Sequence, residues 1–357
     1  MPALDLEGDL VTLLRALVDL ESVSGNERDI AEAVQESLSS YDHLDVQRDG
    51  DLVMARTDLG RDDRIVIAGH LDTVPVADNL PSWTTGEGDE LLIWGRGSCD
   101  MKGGVAVQLA AAARLQEPNR DITWIFYDNE EVAEEHNGLA RVARNHPDWL
   151  TGSFAVLGEP SNAGIEGGCQ GTLRVSVTIA GVAAHSARAW MGSNAIHGAA
   201  PLLNRLATYE PRKVVVDGLT YREGLNAIGI NGGIAGNVIP DRCTVEINYR
   251  FAPDKSADEA IAYLRDEVLA GFDLVVLDAI AGARPGLDQP AAAAFVAAVG
   301  AEPSAKFGWT DVARFAAMGV PAVNFGPGNP SKAHADDEFC PAAELTTCFD
   351  ALVRWLS

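Results

Sequence analysis

The chain predicts an α/β protein with a mainly parallel sheet and a second, antiparallel α+β domain inserted into it. Three observations carry this. Apolar runs of strand length alternate with segments of helical spacing in the first part of the chain. Near Thr172 the hydrophobic period switches to two, as in a half-exposed antiparallel strand. After a Gly/Pro-rich stretch, "AGARPGLDQP", helical and strand-like runs return. The expected domains are residues 1–171 with 286–357, and an insertion at 172–285.

Two helices open the chain. "LVTLLRALVDL" spaces its apolar residues helically, and "NERDIAEAVQESL" follows a Ser-Gly turn. Strand-like runs then come at "RIVIAG", "LLIWG", "DITWIFY" and "SFAVLG", with the helix "GGVAVQLAAAARLQ" between the second and third. The insertion begins with the alternating "TLRVSVTIAG". It continues through the helix "SNAIHGAAPLLNRLATY", the strands "NAIGINGGI" and "RCTVEINYRF", the helix "SADEAIAYLRDEVL" and the strand "DLVVLDAI". That β-α-β-β-α-β order is the ferredoxin-like arrangement. "AAAAFVAAVG", "PAVNFG" and a last helix return to the first domain.

At 357 residues the chain has material for two domains, and 47% hydrophobic with 22% charged residues suits a globular protein. No apolar run reaches the roughly 18 residues that span a membrane. The N-terminus "MPALDLEGDL" lacks the basic start of a secretory signal, so a cytoplasmic location is expected. The formal charge of −25 argues against nucleic acid and anionic membranes as partners. The five cysteines form no C-x-x-C pair, consistent with a reducing compartment. Cys99, directly before Asp100, is the one nearest to interesting chemistry.

The run "IVIAGHLDTVP" ends in His70 and Asp72, which point the same way if the chain stays extended. A histidine gripping a metal while a carboxylate holds its other ring nitrogen has this spacing. The other runs end alike: "LLIWGRGSCD" in Asp100, "DITWIFYDNEE" in Glu130 and Glu131, "SFAVLGEP" in Glu159. Each alone has a plain structural reading, as a cap or a solvated loop. Together, carboxylates at the strand ends of an α/β sheet repel one another, and hard cations remove the conflict. His334 follows "PAVNFGPG" in a Gly/Pro-shaped loop and is a further candidate.

"GHLDTVP", "GRGSCDMKGG", "DNEEVA", "LGEPS" and "AHADDE" resemble the successive metal motifs of the di-zinc aminoacylase and desuccinylase amidohydrolases. The resemblance covers nearly the full chain. It implies a zinc-exopeptidase-like catalytic domain with an inserted lid that dimerises, and hence a homodimer. It implies two Zn2+ per subunit, with Co2+ as a possible substitute, one held by His70 and Glu159, the other by Glu131 and His334, and Asp100 bridging. Asp72 would orient His70, and the Asp100–Met101 peptide would be cis.

The same resemblance assigns Glu130 as general base and His185, in "GVAAHSAR", as an oxyanion partner reaching the other subunit. It assigns Arg250 in "INYRF", Thr310 in "GWTDVARF", Asn329 in "GPGNP" and Asn237 in "NVIP" to the substrate. The implied reaction cleaves N-succinyl-LL-2,6-diaminopimelate in lysine and diaminopimelate synthesis. Acetylornithine deacetylation or general aminoacylase activity is the alternative, and a non-catalytic metal-binding scaffold a third. One departure stands out: where some desuccinylases carry "RRGS", this chain reads "CQGT" at 169–172, and Arg188 is the candidate to compensate.

Overall fold

The computed structural model describes residues 4–357. They form two compact units. The first takes the chain through Gly167, Pro285–Ser304 and Arg314–Ser357; the second takes Gly168–Arg284 and Ala305–Ala313.

In the first unit the strands Arg64–His70, Asp121–Tyr127 and Phe154–Leu157 are buried almost end to end. Their continuous apolar runs have this cause, since a parallel strand is covered on both faces. Arg64–His70 lies between the other two, parallel to both, and Ala322–Asn324 runs parallel to Phe154–Leu157. Leu52–Arg56 extends the sheet antiparallel beside Asp121–Tyr127, and Asp45–Asp49 pairs with it in turn.

The helix Lys102–Arg114 is buried over all but its last residue, so its "GGVAVQLAAAA" is apolar all round rather than amphipathic. It approaches the strand ends closely: a Cβ on Gly104 would lie 2.0 Å from the Gly158 carbonyl oxygen. The core also holds Phe154, Phe295 and Trp355, with ring centroids 4.7–5.9 Å apart.

One expectation needs correction. "LLIWG" does not join the main sheet. Leu92–Trp94 pairs antiparallel with Trp83–Thr85 and with Phe339–Pro341 in a separate three-stranded sheet. Trp83 stacks on Trp94 at 6.0 Å and Trp94 meets Phe339 at 4.8 Å. Cross-strand aromatic contacts of this kind hold the small sheet together. Asp100 therefore stands in the turn before the helix Lys102–Arg114, not at the end of a main-sheet strand.

The second unit is built on an antiparallel sheet ordered Gly224–Gly232, Arg242–Phe251, Gly171–Ala180, Leu274–Ile280. Burial alternates along Gly171–Ala180, matching the period of "TLRVSVTIAG". Leu173, Val175 and Val177 pack with Leu202, Leu206, Ala260 and Leu264 from its helices. A hairpin, Lys213–Val216 with Leu219–Arg222, turns at Asp217-Gly218, both with positive φ (48° and 87°). Asp-Gly is the pair such a turn favours.

The segment 305–313 packs with this unit, whereas the expected boundary kept it with the catalytic domain. Ala305 joins Val216, Tyr221 and Ala252 in a small core. The Trp309 indole N–H donates to the Ala281 carbonyl at 3.2 Å.

Candidate metal centre

His70 ends its strand fully buried, opposite Tyr127 on the neighbouring strand. The next N–H, of Leu71, donates to the Tyr127 carbonyl at 2.7 Å. The ring is held on both sides. Its Nδ1 lies 3.0 Å from the Asp72 carbonyl oxygen and 3.5 Å from Asp72 Oδ1, and its Nε2 lies 3.2 Å from Asp100 Oδ1. Glu159 Oε1 is 4.0 Å from the same Nε2.

The other carboxylate oxygen of Asp100 faces a second histidine. His334 Nε2 lies 3.4 Å from Asp100 Oδ2 and 2.9 Å from Glu131 Oε1. Asp100 thus divides a cluster in two, with His70 and Glu159 on one side and His334 and Glu131 on the other. The ligand atoms of His70, Asp100 and Glu131 all lie within 4.8 Å of one another, a spacing that could hold a metal ion. The Asp100–Met101 peptide is cis, and His334 sits in the left-handed region at φ 64°.

The electrostatics favour positive charge. Burial opposes charging His70, yet the carboxylates of Asp100 and Asp72 outweigh it and lift its pKa well above the usual range. His334 is pushed up to about 10 by its hydrogen bonds to Asp100 and Glu131. Two imidazole Nε2 atoms and three carboxylates are a donor set suited to divalent ions of zinc type, so the residues fit the group.

Asp72 also shapes the loop after Asp121–Tyr127. Its carboxylate accepts from the backbone N–H of Glu130 at 3.0 Å and of Glu131 at 3.1 Å, and from the Ser24 hydroxyl at 2.7 Å. The residue before them, Asn129, is left-handed at φ 58°, and its N–H donates to Glu27 Oε1 at 3.1 Å. Asp72 and Glu27 together hold three successive N–H groups. Burial raises the pKa of Glu27 to about 7. Neither Ser24 nor Glu27 is legible as part of a site: "SVSGNERD" reads as a turn entering a helix.

Cys99 is buried, its thiol donating to the Asn329 carbonyl at 3.3 Å, and burial pushes its pKa well above the ordinary value. It is held as a neutral thiol. Asn329 is exposed, and its side-chain oxygen accepts from the N–H and hydroxyl of Ser331, capping a short turn.

The remaining predicted residues lie in the second unit. Ala184–His185 pairs antiparallel with Val238–Ile239, and the Ser186 N–H donates to the Asn237 carbonyl at 2.9 Å, so His185 and Asn237 are neighbours. His185 is exposed, its Nδ1 accepting from the Ala187 N–H. Arg188 is exposed in the turn that follows. Arg250 is half-buried opposite Thr172 and Gly224, and burial lowers its pKa. Thr310 is buried, and its carbonyl lies 3.8 Å from Cys169 Sγ.

Residues 66–357 match the family model Peptidase family M20/M25/M40. A Mycobacterium tuberculosis protein, provisionally named succinyl-diaminopimelate desuccinylase DapE, is 52% identical over 356 residues, 99% of each chain. The succinyl-diaminopimelate desuccinylase of Corynebacterium glutamicum is 45% identical over 366 residues, covering 100% of this chain and 98% of its own. A Bacillus subtilis dinuclear metal-binding peptidase from the M20 family shares the fold at a TM-score of 0.70 and 17% identity, over 97% of this chain and 96% of that one. This chain belongs to peptidase family M20/M25/M40.

Proposed function

We propose that the chain hydrolyses N-succinyl-LL-2,6-diaminopimelate to succinate and LL-2,6-diaminopimelate, a step of lysine and diaminopimelate synthesis in the cytoplasm. The observation that carries the reading is the Asp100 carboxylate, with one oxygen 3.2 Å from His70 and the other 3.4 Å from His334. The near full-length similarity to two proteins named for this activity, at 52% and 45% identity, supports the substrate.

In this reading His70 and Glu159 would hold one zinc ion and Glu131 and His334 the other, with Asp100 as a shared ligand. Two divalent cations bound there would polarise the amide carbonyl and lower the pKa of water. Glu130 takes a proton from the attacking water as its oxygen bonds to the carbonyl carbon. It passes that proton to the amide nitrogen as the C–N bond breaks, releasing the amine. Asp72 orients both His70, through its ring, and Glu130, through its backbone N–H.

Arg250, half-buried, is suited to a substrate carboxylate, which an arginine fork binds in bidentate fashion. Thr310, Asn329, Asn237 and Arg188 are the remaining proposed substrate groups, and His185 the proposed partner of the developing oxyanion. A homodimer through the second unit agrees with its surface. Trp190 is 80% exposed and Ile234 79%, and Ile228 and Ile230 on the edge strand Gly224–Gly232 are more than half exposed. Apolar groups this open mark an association surface.

A second reading, acetylornithine or another N-acyl amino acid, is favoured by one observation. Cys169 and Gln170 stand where some desuccinylases carry arginines, and both are buried, Gln170 donating to the Arg222 carbonyl at 2.6 Å. Comparing turnover of succinyl-diaminopimelate with that of acetylornithine, with and without added zinc, decides between the readings. Faster turnover of acetylornithine would replace the first by the second.

A further inference from the structure

Arg96 and Glu338 form an ion pair of 2.9 Å, with exposures of only 3% and 1%, and neither is a proposed ligand or substrate group. Taking both charges out of water is costly, and apolar residues of similar size often serve stability as well. What the pair does differently is bind backbone. Glu338 Oε1 accepts the N–H of Cys99 and of Asp100, each at 3.0 Å. Arg96 donates from Nε to the Pro75 carbonyl at 3.0 Å and from Nη1 to the Ala335 carbonyl at 3.1 Å.

These contacts reach three separate loops. Pro75 belongs to the turn that follows His70 and Asp72; Asp100 faces both halves of the cluster; Ala335 is the residue after His334. The Gly95 N–H donates to the Glu338 carbonyl at 3.2 Å, which closes the ring of contacts through the main chain. A charged pair gives each of these bonds more strength and direction than a neutral one would.

We propose that Arg96 and Glu338 are positioning residues that set the separation of the two halves of the metal cluster. Glu338 holds the peptide of the bridging aspartate, while Arg96 ties the His70 loop to the His334 loop. This rests on the reading of the cluster as a two-cation site.

The test uses Glu338→Gln, which keeps an acceptor but loses the charge, and Arg96→Lys, which keeps the charge but lacks the planar fork that reaches both carbonyls. Metal-free full-length protein is titrated with zinc against a chromophoric chelator, and turnover of succinyl-diaminopimelate is measured at saturating zinc. Partners that hold ligands in place typically matter by about 10–100-fold, so the weaker zinc-binding step should lose at least about tenfold in affinity. At saturating zinc kcat should fall by about tenfold while KM stays within about twofold, since a misplaced site loses transition-state more than substrate contacts.

Wild-type zinc affinities and wild-type kcat in both variants would overturn the proposal, whatever happens to the melting temperature. Should Glu338→Gln fail to fold, Arg96→Lys decides by the same two readouts. Wild-type protein that takes up fewer than two zinc ions per chain overturns the two-cation reading, and the proposal with it; that result comes from the unmutated protein and is separable from any variant effect.

Discussion

In the first unit His70 and Asp72 are fully buried polar side chains, each with several partners; in the second, Ile228 and Ile230 are apolar side chains left more than half in water. The first unit bears the cost of burying charge by giving each carboxylate donors: Asp72 accepts from Ser24, Glu130 and Glu131. The second leaves edge strands open, with Val275, Val276 and Leu277 exposed on one edge and the two isoleucines on the other. Buried polar groups with full partners make a rigid cluster of charged side chains. Exposed apolar edges make a surface that association would cover.

The sharpest way to break the contrast is at Glu130. Glu130→Ala should lower kcat by about 10²–10⁴-fold, the usual contribution of a general base, with zinc content unchanged. Normal turnover would refute the role. Asp72→Asn comes next, since the amide cannot accept at both oxygens. Zinc affinity and activity should fall about 10–100-fold, read by chelator competition and initial rates.

A smaller effect is expected at the close approach of helix to strand end. Gly104→Ala puts its methyl 2.0 Å from the Gly158 oxygen, and overpacking of this kind costs about 1–3 kcal/mol. Chemical denaturation should show that loss. On the open region, Ile230→Asp should weaken self-association by at least about tenfold, because a buried unpaired charge at an interface costs more than 1.4 kcal/mol. Sedimentation with unchanged dimer affinity would exclude this edge from the interface.

The smallest expected effect concerns pH. Burial of Asp121 opposes its charge, but the N–H groups of Leu59 and Arg61 and the Thr57 hydroxyl outweigh it and lower its pKa. A depressed carboxyl pKa adds stability above the unfolded value of about 3.9, lost as pH falls through the folded one. Asp121→Asn should therefore lower the melting temperature at neutral pH and differ little from wild type once the pH lies well below the lowered folded pKa of Asp121.

The candidate site was legible because polar residues interrupt apolar runs at strand ends. "IVIAGHLD" announces His70 and Asp72 without any knowledge of the fold, and "DITWIFYDNEE" does the same for Glu130 and Glu131. Asp100 was found for a partly mistaken reason, as the run before it belongs to a different sheet. Arg96 and Glu338 lie inside the motifs "GRGSCDMKGG" and "AHADDE" but no role for them could be read there, and Ser24 and Glu27 gave no signal. Their work is on backbone N–H and carbonyl groups of distant loops, and sequence carries no mark of which backbone group a side chain will reach. Thr310 lies in a segment that packs with the second unit through Ala305 and Trp309, a matter of contacts rather than of pattern.

Hydrophobic period and charge, both local properties, were enough to determine that this chain makes a mainly parallel α/β unit with an antiparallel one inserted, and that His70 ends one of its strands. Tertiary structure alone decided that Asp100 turns one oxygen to His70 and the other to His334, residues 30 and 234 positions away. It alone decided that a buried arginine–glutamate pair ties their loops together. The reason is physical: distances of about 3 Å between remote side chains depend on how the whole core packs, and no short stretch of sequence contains that information.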